Sequence, residues 1–405
     1  MKMIHTSDWH LGNRMLDHAR TDEFRCFLDW LLTLLEQEHP DVLLVSGDIF
    51  DTTTPGEGTR EMYCDFLSRA DAMGCGQVII TAGNHDGVAQ LEVSRPLLRR
   101  HHCTVVTHLK PDEAANCLVP VCGEDGRELG LVCALPFLRP GEVSLPQTEE
   151  ERELSYVRGE AALYQKVASL AEAWKAEHPG LPVVAMGHLP VQGTEVTAST
   201  RSLLGTLDVV TEDIFADVFD YVALGHIHKP SENLNARVLY CGSPLAMGMD
   251  EAAYTHHVLV VELGVGKREV RAVPVPPPVH YVNAECHSRE ELETLVARLR
   301  ASEAACTWLS LAYHAGDLST PQLNDLLRAE LSQERVPIIR AAHIRPLSTL
   351  RKSGDAPVER LTDYTPERVF RRRLEEFLEK SPETVERREE LFQLFNTVLS
   401  DIQSN

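Results

Sequence analysis

The amino-acid sequence predicts an α/β protein, in which a sandwich of two sheets flanked by helices is followed by a small α+β capping domain and a C-terminal helical hairpin. Three observations support this class. The first 86 residues alternate buried strands with amphipathic helices, which implies a parallel core with right-handed crossovers. Strands in a looser arrangement then continue to residue 275. The proline-rich segment 273–278 makes a stiff boundary before the next domain.

The N-terminal elements follow from the spacing of apolar residues. A first apolar run, residues 3–6, leads into Ser7-Asp8-Trp9-His10. Phenylalanine and leucine recur at helical spacing over residues 22–38, and a second helix is expected at about 56–73. A run typical of a strand buried on both faces lies at 41–48, and a further strand is expected at 78–81.

After residue 86 the pattern predicts a second sheet and further outer helices. Apolar strands precede Gly187-His188 and Gly225-His226-Ile227-His228, and residues 150–177 form a charged helix. Because antiparallel strands are expected around the early parallel core, we predict two packed sheets. The other predicted strands lie at 118–121, 129–135, near 237–241, 256–263 and 268–275.

Domain boundaries follow from the proline-rich segment and from a later irregular stretch. Residues 1–275 form the main domain, and residues 279–345 give strand, helix, strand, helix, strand for the capping domain. An irregular polar linker, 346–362, precedes a helical hairpin at 363–405. The hairpin helices begin with a cap residue, a proline and an acid, at Thr365-Pro366-Glu367 and Ser381-Pro382-Glu383.

Composition narrows the function classes. The chain has 405 residues, a length that suggests two or three domains. Its residues are 43% hydrophobic, which is enough to form a sizeable core. Its net charge of -22 argues against non-specific nucleic-acid binding by the chain as a whole, but is compatible with a locally positive channel. The ten cysteines include no Cys-x-x-Cys pair, and we find neither a long apolar span nor a signal-peptide pattern. We therefore expect a cytoplasmic protein without a membrane partner.

Residues with metal-ligand chemistry follow the apolar strands. Open α/β folds bind ligands at the carboxyl ends of their strands. Carboxylate, amide and imidazole ligands without thiolate suit Mn²⁺, Fe²⁺ or Zn²⁺ better than calcium or an iron–sulfur cluster. The candidate ligands are Asp8, His10, Asp48, Asn84, His188, His226 and His228.

Seven ligands are too many for one ion and suit two ions that share a carboxylate. Asp48 follows the central strand and is the expected bridge. Two metals about 3.5–4 Å apart activate a water and hold the attacking and leaving oxygens of a phosphate ester. The sequence therefore predicts hydrolysis of phosphate esters.

Each motif taken alone has a structural explanation. Asp48 could cap a helix, Asn84 could be a turn residue, and a lone histidine such as His188 is usually a hydrogen-bonded core residue. Five glycine-flanked polar motifs, each after an apolar strand, have no common structural explanation. Their recurrence favours the metal site.

His85 and Asp86 are the candidate catalytic residues. His85 follows the ligand Asn84 and is expected to face the substrate rather than the ions. An imidazole with an ordinary pKa of about 6.5 can give a proton to a leaving oxygen at neutral pH. Asp86 is expected to orient His85. The alternative is that His85 is only the neighbour of a ligand.

Together these motifs resemble the signature of the calcineurin-like metallophosphoesterases: Asp8-x-His10, Gly47-Asp48, Gly83-Asn84-His85-Asp86, Gly187-His188 and Gly225-His226-x-His228. The flanking residues are most similar to one branch, the bacterial SbcD nuclease subunits. They include residues 5–12, 47–51, 82–86, 136–140, 223–228 and 240–244. The resemblance runs in order over residues 1–275, is weaker over 279–345, and rests on helix pattern in the tail.

The resemblance implies a metallophosphoesterase sandwich with manganese-dependent DNA nuclease activity, exonucleolytic on double strands and endonucleolytic on single strands and hairpins. It implies two Mn²⁺ per chain, with Mg²⁺ as a substitute. One ion would take Asp8, His10, Asp48 and His228, and the other Asp48, Asn84, His188 and His226. His85 matches the catalytic histidine of the family.

The resemblance also implies partners. Such proteins form homodimers and work with an SbcC-type coiled-coil ATPase, in a heterotetramer, during DNA end processing, repair and recombination. The domain at 279–345 would help to hold DNA, and the hairpin at 363–405 would dock on the coiled coil.

Two other functions stay open at the level of sequence. A Ser/Thr phosphatase would be expected to carry an arginine after the second motif, whereas here Asp51 is followed by Thr52. A non-enzymatic scaffold on the same fold is opposed by the intact ligand set. An Mn²⁺-dependent phosphodiester assay separates the scaffold from an enzyme.

Overall fold

The computed structural model describes residues 1–16, 18–73, 75–92, 102–123, 125–143, 149–194, 209–304, 306–344 and Phe395. Met1–Ile344 forms one compact unit, and Arg345–Asn405 a second. The predicted linker at 346–362 and hairpin at 363–405 therefore lie outside the described residues, apart from Phe395.

The described part contains strands and helices in regular alternation over much of its length. In chain order the strands are β1 (Lys2–Thr6), β2 (Arg14–Met15), β3 (His18–Ala19), β4 (Val42–Ser46), β5 (Val78–Thr81), β6 (Cys103–Val106), β7 (Leu118–Cys122), β8 (Glu128–Ala134), β9 (Val183–His188), β10 (Tyr221–Gly225), β11 (Val238–Tyr240), β12 (His257–Gly264), β13 (Lys267–Pro274), β14 (His280–Cys286), β15 (Thr307–Tyr313) and β16 (Ile338–His343). The α-helices are α1 (Thr21–Glu38), α2 (Glu57–Ala72), α3 (Pro140–Val143), α4 (Glu149–Glu177), α5 (Arg289–Ala301) and α6 (Thr320–Glu330).

Two sheets form the main part of the described chain. The first has the strand order β13-β12-β1-β4-β5-β6, and the second β11-β10-β9-β8-β7. Strands β1, β4, β5 and β6 are parallel, as the β-α-β pattern predicted, while β12 and β13 are antiparallel to their neighbours. In the second sheet only β7 is antiparallel among the described strands. The predicted two-sheet α/β sandwich is thereby confirmed.

Three apolar layers hold the sandwich together. Alternate residues of β4 point to opposite faces, as a strand buried on both sides requires. Val42 and Leu44 pack between the sheets, and Leu43 and Val45 pack beneath α1 and α2. The second sheet is covered on its outer face by α4, through residues such as Leu163 and Val167. The carboxyl ends of β1, β4, β5, β9 and β10 are thus fixed by buried strands.

Residues 280–343 form a further parallel sheet, β14-β15-β16, with α5 and α6 as crossovers. Helix α5 begins after Ser288, whose hydroxyl accepts the backbone N–H of Glu291 at 3.2 Å. Helix α6 begins with a capping box between Ser319 and Gln322. This sheet has its own apolar core, built around Leu292, Leu309 and other leucines.

A small apolar cluster connects this sheet to the main part, and a buried ion pair lies next to it. Met15, in β2, packs with Val279, Trp308 and Ile339. Beside them, Arg20 pairs with Glu23 at 3.0 Å, their side chains being 0% and 4% exposed. No helix in the described part is long and apolar enough to cross a bilayer.

The buried pair gives the first prediction. Removing one member of a buried ion pair leaves the other charge uncompensated and costs about 3–5 kcal/mol. We expect Glu23→Gln to lower the free energy of unfolding by about that amount, measured by urea denaturation. The matched control is Asp22→Asn in the same turn of α1, because Asp22 and its partner Arg25 are 96% and 63% exposed. Such a surface pair contributes less than about 1 kcal/mol. Equal losses in the two variants would contradict the assignment.

Candidate metal centre

Sharp turns at the strand ends aim the candidate ligands inward. Four of them have left-handed backbones: Asp8 (φ 52°), His10 (46°), Asp48 (51°) and His226 (93°). Such conformations cost about 1–3 kcal/mol each and persist only when surrounding structure imposes them. Here the backbone N–H groups of Asp8 and His10 donate to the carbonyls of Gly47 and Asp48, both at 3.0 Å. These bonds lock the end of β1 against the end of β4.

Glycines allow the strand ends to approach each other. A Cβ added at Gly83 would lie 2.1 Å from Oδ1 of Asp48, and one at Gly47 would lie 2.2 Å from Nδ1 of His188. Gly47 also has a φ of +83°, which favours glycine. The glycine in each of these two motifs is therefore a packing requirement of the site.

Asp48 lies at the centre of the cluster. Its Oδ2 is 3.3 Å from Nε2 of His188 and 3.5 Å from Nε2 of His10. Its Oδ1 accepts the backbone N–H of His85 at 2.8 Å. With 2% exposure, the carboxylate is shielded from water and faces imidazoles on both sides. This is the position that a bridging ligand requires.

One side of Asp48 brings together Asp8, His10 and His228. The ligand atoms of these three residues lie within 4.8 Å of one another. Nε2 of His10 and Nε2 of His228 are 3.1 Å apart. Nδ1 of His228 lies 2.8 Å from Oε1 of Glu251, so this nitrogen carries the proton and leaves the Nε2 lone pair directed at the cluster.

The other side of Asp48 brings together Asn84, His188 and His226. Oδ1 of Asn84 is 2.9 Å from Nε2 of His188 and 3.1 Å from Nδ1 of His226. Nδ1 of His188 donates to the carbonyl of Ser46 at 2.9 Å, which again leaves Nε2 for the cluster. The backbone N–H of His226 donates to the Asp8 carboxylate at 2.9 Å. The structure thus places all seven predicted ligand residues in one cluster.

The electrostatics of the cluster suit bound cations. Burial opposes charge on His188, but the Asp48 carboxylate outweighs it and raises the pKa of His188 to about 9. Burial likewise opposes ionisation of Asp48, but His188 and His10 hold its pKa below the usual value. Burial lowers the pKa of His226 to about 3, so this imidazole is neutral. Bound metal ions would take the place of protons between these groups.

The donor atoms fit divalent transition metals. Converging imidazole nitrogens and carboxylate and amide oxygens, without thiolate, are typical ligands of Mn²⁺, Fe²⁺ and Zn²⁺. Nε2 of His10 and Nε2 of His228 face each other at 3.1 Å, and Nε2 of His188 lies 3.3 Å from Oδ2 of Asp48. A cluster with so many buried acceptor nitrogens is satisfied most directly by cations.

His85 lies beside the cluster, half-buried, with its ring edge-on to His10 at 4.8 Å between centroids. Its Nδ1 donates to the backbone carbonyl of Asp51 at 2.8 Å. This hydrogen bond to Asp51 orients the ring. Burial lowers the pKa of His85, although Asp48 partly opposes that change.

The structure gives Asp86 a different task from the one we expected. Its carboxylate accepts the backbone N–H groups of Gly83, Ile49 and Phe50, at 2.8, 3.2 and 2.9 Å. Burial, reinforced by Asp48, raises the pKa of Asp86 to about 6. Because its oxygens are used on backbone amides, Asp86 ties the loop after β5 to the loop after β4 and does not orient the His85 ring. The proposed catalytic role of Asp86 is corrected accordingly.

Two residues of the site carried no assigned role in the sequence analysis. Asp51 places Oδ1 3.5 Å from Nδ1 of His10 and its carbonyl on His85. Glu251 holds His228. Asp51 ends the Gly47–Asp51 motif, which was a usable signal. Glu251 lies in a loop without periodicity, and nothing in the sequence connected it with His228.

Comparisons with known proteins identify a family and several relatives of this chain. A family model described as calcineurin-like phosphoesterase matches residues 1–230. The chain is 31% identical to the D subunit of nuclease SbcCD from Escherichia coli (strain K12), over 98% of both chains. It is also 31% identical to the protein of the same name from Rhodobacter capsulatus, over 91% of this chain and 93% of that one. With the Bacillus subtilis protein of that name the identity is 30%, over 66% of this chain and 67% of that one.

The bridging position of Asp48 gives a prediction about metal content. An amide offers one ligand oxygen and no charge, so Asp48→Asn should reduce the bound metal from two ions per chain to one or none. Elemental analysis after gel filtration measures this. Asp65→Asn, at an exposed carboxylate of α2, is the control and should keep both ions. If Asp48→Asn still bound two ions tightly, the assignment of Asp48 as a bridging ligand would be wrong.

The close approach at Gly83 gives a second prediction. In Gly83→Ala the new methyl group must displace the Asp48 carboxylate, so we expect metal binding to weaken at least tenfold by titration calorimetry. Gly58→Ala in α2 is the matched control, because a Cβ there meets nothing within 4 Å. If Gly83→Ala binds metal as well as Gly58→Ala does, the packing argument fails.

Proposed function

The chain belongs to the calcineurin-like phosphoesterase family, and from its similarity to the D subunits of nuclease SbcCD we propose that it is the Mn²⁺-dependent DNA nuclease subunit of an SbcCD-type complex. Its proposed activities are exonuclease on double strands and endonuclease on single strands and hairpins, in DNA end processing, repair and recombination. The observation that carries the proposal is the carboxylate of Asp48 between His10 and His188. That arrangement suits two ions on a phosphodiester.

The residues are proposed to act as follows. Asp8, His10, Asp48 and His228 would hold one ion, and Asp48, Asn84, His188 and His226 the other. When bound, two such ions activate water and stabilise the charge that develops on the phosphate oxygens. Glu251 and the Ser46 carbonyl fix the tautomers of His228 and His188. Nδ1 of His85 keeps its proton on the Asp51 carbonyl, so the proton given to the leaving oxygen would be a second one, carried on Nε2 by the imidazolium form.

Similarity along nearly the whole chain favours a nuclease over a phosphatase for small molecules or proteins. The match to the E. coli relative covers 98% of this chain, so it includes the sheet at 280–343 as well as the metal centre. A DNA duplex is long enough to contact both the metal centre and the sheet at 280–343. The sequence-level expectation that this sheet helps to hold DNA therefore stays part of the proposal.

The names of the relatives also support a partner protein. Each name makes the relative one component, D, of a complex called SbcCD. We propose that this chain likewise works with a coiled-coil ATPase, as a dimer within a heterotetramer. Residues 391, 395, 398 and 402 of the tail are apolar at helical spacing, which suits helix-in-groove contacts with a coiled coil.

The direct test of the activity uses a labelled DNA hairpin with Mn²⁺, with and without the ATPase and ATP. We expect cleavage that requires Mn²⁺ and is lost in Asp48→Asn. Release of phosphate from small phosphomonoesters with no cleavage of DNA would instead favour the phosphatase.

The proton-donor role of His85 gives a prediction of its own. General acids contribute typically about 10²–10⁴-fold to rate. We expect His85→Asn to lose cleavage by that factor while it keeps two ions per chain, measured by elemental analysis. If metal content falls in proportion to activity, His85 is a ligand and the assignment is wrong.

The tail gives the last prediction of this section. Deleting the residues after about 360 should leave Mn²⁺-dependent cleavage of single strands intact and abolish stable association with the ATPase. Phe395→Glu should reproduce the loss, because a buried charge is costly. Co-elution of the truncated chain with the ATPase at moderate salt would place the docking site elsewhere.

A further inference from the structure

A buried arginine lies between the metal centre and the sheet at 280–343. Arg20 is 2% exposed and stands at the start of α1. Its guanidinium lies over the rings of Phe24 and Tyr281, at 5.3 and 5.8 Å from the centroids. Glu23 compensates its charge, through contacts of 3.2 Å from Nε and 3.0 Å from Nη2. The remaining hydrogen bonds of Arg20 lead in two directions.

One direction leads to the small sheet. Nη2 of Arg20 donates to the hydroxyl of Tyr281 at 2.8 Å, and that hydroxyl donates to Glu23. Tyr281 lies in β14, edge-on to Trp308 of β15 at 6.1 Å. The phenol is therefore fixed to this sheet, and its hydrogen bond to Arg20 depends on the position of the sheet.

The other direction leads to the metal centre. Nη1 of Arg20 donates to Oδ1 of Asn13 at 2.9 Å, and Nδ2 of Asn13 donates to Oδ1 of Asp51 at 3.1 Å. The same Asp51 accepts the His85 ring on its carbonyl and lies 3.5 Å from the ring of His10. Four hydrogen bonds thus lead from Tyr281 to His85, and within Asp51 the path passes from the side-chain carboxylate to the backbone carbonyl.

A second path leaves the same guanidinium. Nη1 of Arg20 lies 4.0 Å from Sδ of Met247, whose backbone N–H donates to Glu251 at 2.8 Å. The other oxygen of Glu251 holds Nδ1 of His228 at 2.8 Å. Arg20 is therefore connected to the supports of both His10 and His228, on the same side of Asp48.

Charge balance does not explain the link through Asn13. Glu23 already neutralises Arg20, and Asn13 is partly exposed, so water could satisfy its amide. What the amide adds is orientation, because it is the piece that fixes the Asp51 side chain relative to Arg20. A misplacement of about 1 Å at a reacting group can cost about 100-fold in rate.

We propose that Arg20, Asn13 and Tyr281 are positioning residues that couple the seating of the sheet at 280–343 to the placement of His85 and His10. The proposal rests on the nuclease function proposed above. A substrate that spans both parts would hold the sheet seated, and His85 is then held where it can protonate the leaving oxygen. With the sheet unseated, the Asp51 side chain loses its oriented hydrogen bond from Asn13, and the Asp51 backbone that holds His85 is fixed less firmly.

The experiment compares Tyr281→Phe, Asn13→Ala and the double variant on a DNA hairpin with Mn²⁺. Phenylalanine keeps the ring packing and removes only the hydroxyl. We expect each single variant to lower kcat about 10- to 100-fold, with KM and metal content unchanged. Because the two residues lie in series, the double variant should lose no more than the worse single variant.

The matched control is His18→Ala. Its ring contacts Trp308 at 5.8 Å, at the same junction but off the hydrogen-bonded path, and it should keep the wild-type kcat. A second readout needs no activity. In metal-free protein, hydrogen exchange of the backbone at 48–56 should speed up in Tyr281→Phe and not in His18→Ala.

The outcomes are distinguishable. If wild type cleaves DNA but Asn13→Ala keeps full kcat, or if the two single losses multiply in the double variant, the coupling is refuted. A rise in KM with kcat unchanged would make these residues part of DNA holding only and would also overturn it. If wild type cleaves no phosphodiester, the proposed function fails, and the exchange experiment alone decides the coupling: an unchanged segment 48–56 in Tyr281→Phe refutes it.

Discussion

The structure depends on one electrostatic constraint, the burial of the Asp48 carboxylate among histidines. Asp48 is 2% exposed and has ring nitrogens of His10 and His188 within 3.5 Å. Buried ionisable groups are costly unless each is paired. Asp8, Asn84, His226 and His228 complete a set that divalent cations would satisfy. The left-handed turns, the absent Cβ of Gly83 and the carboxylate of Asp86 on three amides all serve to bring these groups together.

Much of this arrangement could be predicted from the sequence, because apolar runs followed by glycine and polar residues mark the ends of the strands. The pattern of apolar residues located β1, β4, β5, β9 and β10 to within two residues, and the polar residues after these strands are the seven candidate ligands. Parallel strands end at a common edge, so local patterns translated into a shared site. The same logic predicted the order of strands and helices over residues 279–345.

What the sequence could not provide were contacts without a period. Strands β2 and β3 have two residues each, too few to show alternation, and in β6 (Cys103–Val106) Thr104 interrupts the apolar run. The roles of Asp51, Glu251 and Arg20 depend on partners from distant loops, such as Glu251 on His228. Asp86 was expected to orient the His85 ring because the two residues are neighbours in sequence. In the structure its carboxylate oxygens accept hydrogen bonds from backbone amides instead. These side chains orient the ligands, and only the folded chain brings them together.

The central claim is that two ions lie on either side of Asp48. Crystals grown with Mn²⁺ and measured at a wavelength that enhances manganese scattering test it most directly. The account predicts two anomalous peaks per chain, about 3.5–4 Å apart, with the Asp48 carboxylate between them. A single peak, or peaks away from Asp48, would contradict it.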